Sequence, residues 1–226
     1  MTDRWALTLV RVTGAVLVAL SVVLVIVMPK APVHANVPGF SGPVVGFELA
    51  STPDHVFGIL GKPDDPAREH AVRAMDLTNR IDFAFMLAYP AFFVAIACLL
   101  SARGLLPSGL VVGVGVLAIV MAVGDALENR QLLVLSSLTE PGAMTQPLTR
   151  LRTWTSVKWT AIFATAVLVA PYVWQDRRGW KWSGVAFGLA GVMGTAAVLR
   201  LSLLEPAANV LAVAWLMTWV HALRAR

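Results

Sequence analysis

The 226-residue chain is short of charge: Asp, Glu, Lys and Arg make up 14% of it, against about 25% in a soluble domain. That scarcity excludes a disordered or highly solvated chain. One cysteine, Cys98, is all the thiol there is, so neither an intramolecular disulfide nor a thiolate metal site can form. It sits in the apolar run Ala95-Ile96-Ala97-Cys98-Leu99-Leu100, where a thiol acts as a small hydrophobe. Catalytic signatures are missing as well: the chain has no P-loop and no HExxH. Three of its four histidines, His34, His55 and His70, are spaced in a way that matches no zinc pattern. No cofactor or metal is therefore expected. The excess of 18 Lys/Arg over 13 Asp/Glu is ordinary for an inner-membrane protein, whose cytoplasmic loops favour Lys and Arg. It does not indicate nucleic acid.

What the chain has in abundance is apolar sequence, at 58%. A helix needs about 20 residues to cross about 30 Å of hydrocarbon. The chain divides into six such stretches, at 5–28, 81–101, 105–134, 153–174, 182–201 and 206–222. The predicted fold is all-α, a six-helix transmembrane bundle in one membrane domain. A small extracytoplasmic helical segment, 29–80, joins helices one and two. The first stretch also has features of a signal peptide, with Arg4 and Arg11 as its charged part and Val33-His34-Ala35 as a cleavage site. Its apolar part exceeds the usual 7–15 residues, which favours an uncleaved helix. Arg200 to Glu205 is all that separates the last two stretches, and Pro206 fits the first turn of a helix, so these two should form a tight hairpin.

Short loops set the orientation. With the N-terminus inside, Arg4, Arg103, Arg177, Arg178, Lys181, Arg224 and Arg226 are cytoplasmic against only Asp3 and Asp176. Both termini are then cytoplasmic. Trp174, Trp180 and Trp182 gather at one expected boundary, and Trp154 and Trp159 at the other, as amphipathic rings do. Gly109 with Gly113, and Gly184, Gly188, Gly191 and Gly194, form small-residue stripes that let helices approach closely. Packing within the chain is the plainer use of these stripes, and a homo-oligomer or a membrane-protein partner is the other.

In the segment 29–80, Pro29, Pro32, Pro38 and Pro43 predict an extended, irregular start. Thr52-Pro53-Asp54-His55 reads as a helix start with Thr52 as N-cap, and Gly61 ends that helix. From Asp65-Pro66 no residue breaks the chain until Pro90, so helix two should project well beyond the bilayer. Glu69 with Arg73 and Asp76 with Arg80 would pair along it at i,i+4.

On an antiparallel zigzag the unusual polar residues collect on the extracytoplasmic side: Asp82; Asp125, Glu128, Asn129 and Arg130; Lys158; Arg200 and Glu205. Asp125, Glu128 and Asn129 share one helix face at i, i+3 and i+4. Asn79, Asp82, Met86 and Tyr89 form another stripe. Counted together, Asp82, Asp125, Glu128 and Glu205 against Arg130, Lys158 and Arg200 fall one charge short of neutral. Ionisable groups in a membrane turn inward and pair. Such a cluster is open to four uses. It can simply lock helices together. It can form the floor of an outer-leaflet cavity for the headgroup of an amphiphile or lipid, bound through Asp82, Tyr89, Asp125, Glu128, Asn129, Arg130 and Lys158. It can be an embedded enzyme with Asp125 or Glu128 as general acid/base on a lipid substrate, or a proton-coupled transporter using Asp82 and Asp125. The chain shows neither the repeat nor the paired broken spans typical of transporters.

The run Gly46-Phe47-Glu48-Leu49-Ala50, the ending Ile59-Leu60, Asp82 with Tyr89, and Asp125-x-x-Glu128-Asn129 resemble a group of uncharacterised bacterial polytopic integral membrane proteins, over about residues 46–160. The resemblance implies a bacterial inner-membrane setting and a shared polar cluster. It implies no activity.

Overall fold

The computed structural model of the chain describes residues 2–176, 180–197 and 199–225. Among these the secondary structure is helical throughout: α1 (Asp3–Val27), α2 (Pro43–Glu48), α3 (Pro53–Leu60), α4 (Arg68–Ala102), α5 (Ser108–Ser137), α6 (Thr145–Gln175), α7 (Lys181–Ala196) and α8 (Leu204–Arg224). Single 3-10 turns at Pro141–Met144 and Leu201–Leu203 lead into α6 and α8. Five stretches are long and apolar enough to cross a membrane, those of α1, α4, α5, α6 and α8 with their lead-in turns. The fifth expected span is shorter. At 16 residues, α7 rises only about 24 Å, against the roughly 30 Å of a bilayer core. The basic residues Arg177, Arg178 and Arg226, used above to orient the chain, lie outside the described residues.

Two compact units make up the chain. The first comprises Met1–Ala19, Leu87–Ala122 and Trp159–Arg226. Within it, Arg11 is the one charge that interrupts the apolar part of α1, and the structure explains its presence. Its guanidinium donates to the carbonyls of Ala222 at 2.8 Å and Ala225 at 2.5 Å, capping the C-terminal end of α8, where carbonyls lack helical partners and favour a cation. The Trp219 indole donates back to the Arg11 carbonyl at 3.0 Å. Arg103 forms a second charged knot. It pairs with Asp3 at 3.0 Å and with Asp176, and its guanidinium lies 5.3 Å from the Trp180 ring centre.

The glycine stripe of α7 packs on α6. A methyl group at Gly184 would lie 2.6 Å from the Trp174 nitrogen, and one at Gly191 would lie 3.0 Å from the Val167 nitrogen. Gly109 and Gly113 on α5 have nothing within 4 Å. Cys98 lines a shallow apolar groove of about 420 Å³ with Thr13, Pro90, Ala95, Gly115 and Ala118.

The second unit comprises Leu20–Met86 and Val123–Lys158, and it has a core like that of a soluble helical domain. Phe47 of α2, Val56, Ile59 and Leu60 of α3, Met75 of α4, Leu132 and Leu135 of α5, and Leu148 and Leu151 of α6 are buried together. Much of the stretch expected to be irregular is thus organised around this core, and α2 occupies part of it. The helix start at Thr52 is as predicted: the Thr52 hydroxyl accepts from the His55 amide at 3.3 Å, and Gly61 ends α3 with φ of +87°. His34 pairs with Asp65 at 2.6 Å.

Helix ends in this unit differ from expectation for one reason. Helix α6 begins about two turns earlier than expected and α5 ends three residues later, through polar sequence where apolar runs are no guide but the hydrophobic positions Leu132, Leu135, Leu148 and Leu151 still face the core. One expected ion pair does not form. Glu69 and Arg73 pair at 2.5 Å, whereas Asp76 turns to α5 and accepts the Ser136 hydroxyl at 2.6 Å, which leaves Arg80 exposed.

Candidate functional site

The second unit brings four elements to one buried polar cluster. Helices α4 and α5 run antiparallel and are laced by side chains. Arg68, at the first residue of α4, donates to the carbonyls of Gly61 at 2.6 Å, Ser136 at 3.1 Å and Leu138 at 2.9 Å, closing the C-terminal end of α5. Two turns along comes the Asp76–Ser136 bond. Two further turns along, the Asn129 amide donates to Asp82 at 2.7 Å. Helix α6 meets α5 at Gly124, where a Cβ would lie 3.2 Å from the Lys158 backbone nitrogen. The absence of a side chain there lets the two backbones touch. Lysine side chains on a helix lean toward its N-terminus, and Lys158 accordingly reaches one turn along to Glu128.

The Lys158 ammonium is held by three carboxylates: Glu128 at 2.5 Å, Glu48 at 3.1 Å and Asp125 at 3.6 Å. Glu48 is the last residue of α2, which is seated by the buried Phe47 ring and by a close approach of Gly46 to the Asn36 side chain. The Glu48 carbonyl also accepts from the Thr155 hydroxyl at 3.2 Å. Glu128 is fully enclosed, and Asp125 and Lys158 are 2% and 4% exposed. Glu48 and Asp82 are only partly covered and make the more open side of the cluster. The second carboxylate oxygen of Glu128 and the amide nitrogen of Asn79, one turn before Asp82, have no hydrogen-bond partner among the described residues. Buried polar atoms are rarely left so.

Of the residues expected at the site, Asp82, Asp125, Glu128, Asn129 and Lys158 come together. Arg130 does not join them. It follows Asn129 by one residue, a turn of about 100° around the helix, and is exposed. Tyr89 belongs to the first unit, where its ring stacks on Trp215 at 5.9 Å. Arg200 and Glu205 also belong to the first unit. Glu48 is the member that the charge pattern along the chain did not single out, because a lone carboxylate in a six-residue helix carries no periodicity. The near-neutral balance expected is therefore replaced by four carboxylates around one ammonium.

The ion pairs are direct, and the cluster can do two things chemically. It can hold protons or a cation against its surplus of carboxylates, and it can act as acid or base in a setting with little water. No group of three or more His, Cys, Asp or Glu among the described residues is arranged to hold a metal ion. Comparison with family models, with curated proteins and with solved structures finds no match to the chain.

Proposed function

We propose that the chain is a multi-pass protein of the bacterial inner membrane that binds a lipid-like amphiphile through a cationic headgroup. In this reading α7 is the fifth of six membrane helices, both termini are cytoplasmic, and the segment 29–80 is extracytoplasmic. The observation that carries the reading is the imbalance at Lys158. With every group ionised, Glu48, Asp82, Asp125 and Glu128 outnumber the single ammonium by three charges. Like charges so close strongly disfavour one another in a poorly hydrated site. A primary ammonium brings both positive charge and three N–H donors, which suits the unpartnered oxygen of Glu128. Asp82 and Glu48, on the more open side, are the first groups such a headgroup would meet. An oligomer or another membrane protein is the alternative partner, through the open face of α5 that carries Gly109 and Gly113.

Reconstitution in nanodiscs of phosphatidylcholine with a minor share of phosphatidylethanolamine tests the reading. Native mass spectrometry should find the primary-amine lipid enriched on the protein. Asp125→Asn and Glu48→Gln should each reduce that enrichment about tenfold or more, the value of a charge-assisted hydrogen bond. Equal retention of the two lipids would refute headgroup binding. Turnover of a lipid, abolished by Asp125→Asn, would establish an enzyme instead.

A further inference from the structure

Apart from the acidic cluster, four arginines of the second unit, Arg80, Arg130, Arg150 and Arg152, are exposed, and none has an ion-pair partner among the described residues. Arg80, Arg130 and Arg152 occupy three different helices, yet the helix registers bring them to one level. Asp82 bonds Asn129 across the antiparallel pair α4/α5, so counting back from Asp82 and forward from Asn129 brings Arg80 level with Gln131, next to Arg130. Gly124 touches Lys158 across the antiparallel pair α5/α6. The same count there brings Arg130 level with Arg152. At about 1.5 Å of rise per residue, the three guanidinium-bearing positions fall within a few ångströms of one plane.

Each of Arg80, Arg130 and Arg152 also lies on an exposed, largely apolar or small-residue stripe of its own helix. On α4 the exposed positions run Leu77, Arg80, Ala84, Leu87 and Ala91. On α5 they run Val112, Val116, Ile119 and Val123, then Arg130 and Val134. On α6 they run Arg152, Ser156, Thr160, Ala164, Val167, Pro171 and Trp174. Apart from the seven residues between Val123 and Arg130, the spacing is the three-or-four-residue step of one helix face. Exposed faces that are largely apolar and carry a cation at one shared level match the passage from lipid tails to headgroups. Half-buried Trp154 lies two residues beyond Arg152, in keeping with an aromatic ring at that boundary.

From these observations we infer that Arg80, Arg130 and Arg152 form a belt that binds the phosphates of anionic phospholipids at the membrane surface. Guanidinium is the right group for this, since its planar fork matches phosphate in a bidentate way. Nearby Arg73 is a natural contrast, because its charge is already taken by Glu69 at 2.5 Å. The inference does not depend on a ligand at the acidic cluster.

The full-length protein is reconstituted in nanodiscs of phosphatidylglycerol and phosphatidylcholine, and the lipids it retains are counted by native mass spectrometry. Phosphatidylglycerol should be enriched over its bulk share at low salt. Each Arg→Gln change should lower that enrichment about fivefold, and R80Q/R130Q/R152Q should abolish it. The corresponding triple lysine variant should keep most of the enrichment, and R73Q should keep all of it. Equal retention of both lipids by the parent protein would overturn the inference. So would full enrichment in the triple glutamine variant, a loss as large in R73Q as in the belt variants, or complete competition by millimolar glycerol phosphate, which would indicate a site for free phosphate rather than a lipid surface. If the triple glutamine variant does not fold, the single variants carry the same comparison.

Discussion

Lys158→Met is the most informative single change. It removes the only ammonium of the cluster and keeps the length and packing of the side chain. The three carboxylates around it stand at 2.5, 3.1 and 3.6 Å. At an effective dielectric of about 20 each attraction amounts to roughly 5 kcal/mol before desolvation. Taking these groups out of water offsets most of that gain, and measured losses on breaking one side of a buried ion pair are about 3–5 kcal/mol. For a chain of this size, 1 kcal/mol corresponds to about 2–4 °C in Tm, so Lys158→Met should unfold about 6–20 °C below the parent in detergent, by intrinsic tryptophan fluorescence. Pairing it with Glu128→Gln should restore part of the loss, because the change then removes a charge that Lys158 had balanced. A single variant within 2 °C of the parent would refute the ion-pair reasoning. A double variant no better than the single would show that the loss comes from packing rather than charge.

Two further predictions follow from packing and capping. Gly184→Ala should destabilise the protein by about 1–3 kcal/mol, since its methyl would meet Trp174 backbone at 2.6 Å; Gly109→Ala, with nothing within 4 Å, should be neutral or stabilising by about 0.5–1 kcal/mol. Thermal unfolding of the pair is the check, and equal effects would contradict the α6/α7 contact. Arg68→Gln should speed amide exchange around Gly61 and the end of α5 by at least about tenfold, because three carbonyls lose a charged donor worth about 1.5–3 kcal/mol; unchanged protection there would contradict the capping role.

The helices of this chain were legible where the sequence is apolar and poorly legible where it is mixed. The helix of residues 108–134 could be read through its polar cluster, because apolar residues resume at Leu132, but the first two turns of α6 are held by a few core leucines among polar neighbours. Spacing within a helix was a sound guide to which side chains gather in the polar cluster: Asp125 and Glu128 both meet Lys158, and Asn129 meets Asp82. It failed for Asp76, because an i,i+4 partner on the surface competes with a hydroxyl on the neighbouring helix, and burial beside Ser136 wins. It also overreached at Arg130, where adjacency to the motif hid a different direction around the axis. Glu48 could not be found this way, because its contact with Lys158 depends on how α2 folds back over α6, a tertiary event with no local periodic signal.

The cap that Arg11 places on α8 bears on how the chain is made. Its partners lie 211 and 214 residues downstream. At about 5–20 residues per second of synthesis, α1 waits roughly 10–40 s before those carbonyls exist. Throughout that interval the guanidinium must be hydrated, drawn to an interface or sheltered by another protein, since a lone arginine well inside a bilayer costs several kcal/mol. The first helix is therefore committed to the membrane before it can settle into its final place, and its settling is coupled to the emergence of residues 222–225. Shortening the chain ahead of Ala222 should consequently disturb α1, the element most distant from the deletion in sequence.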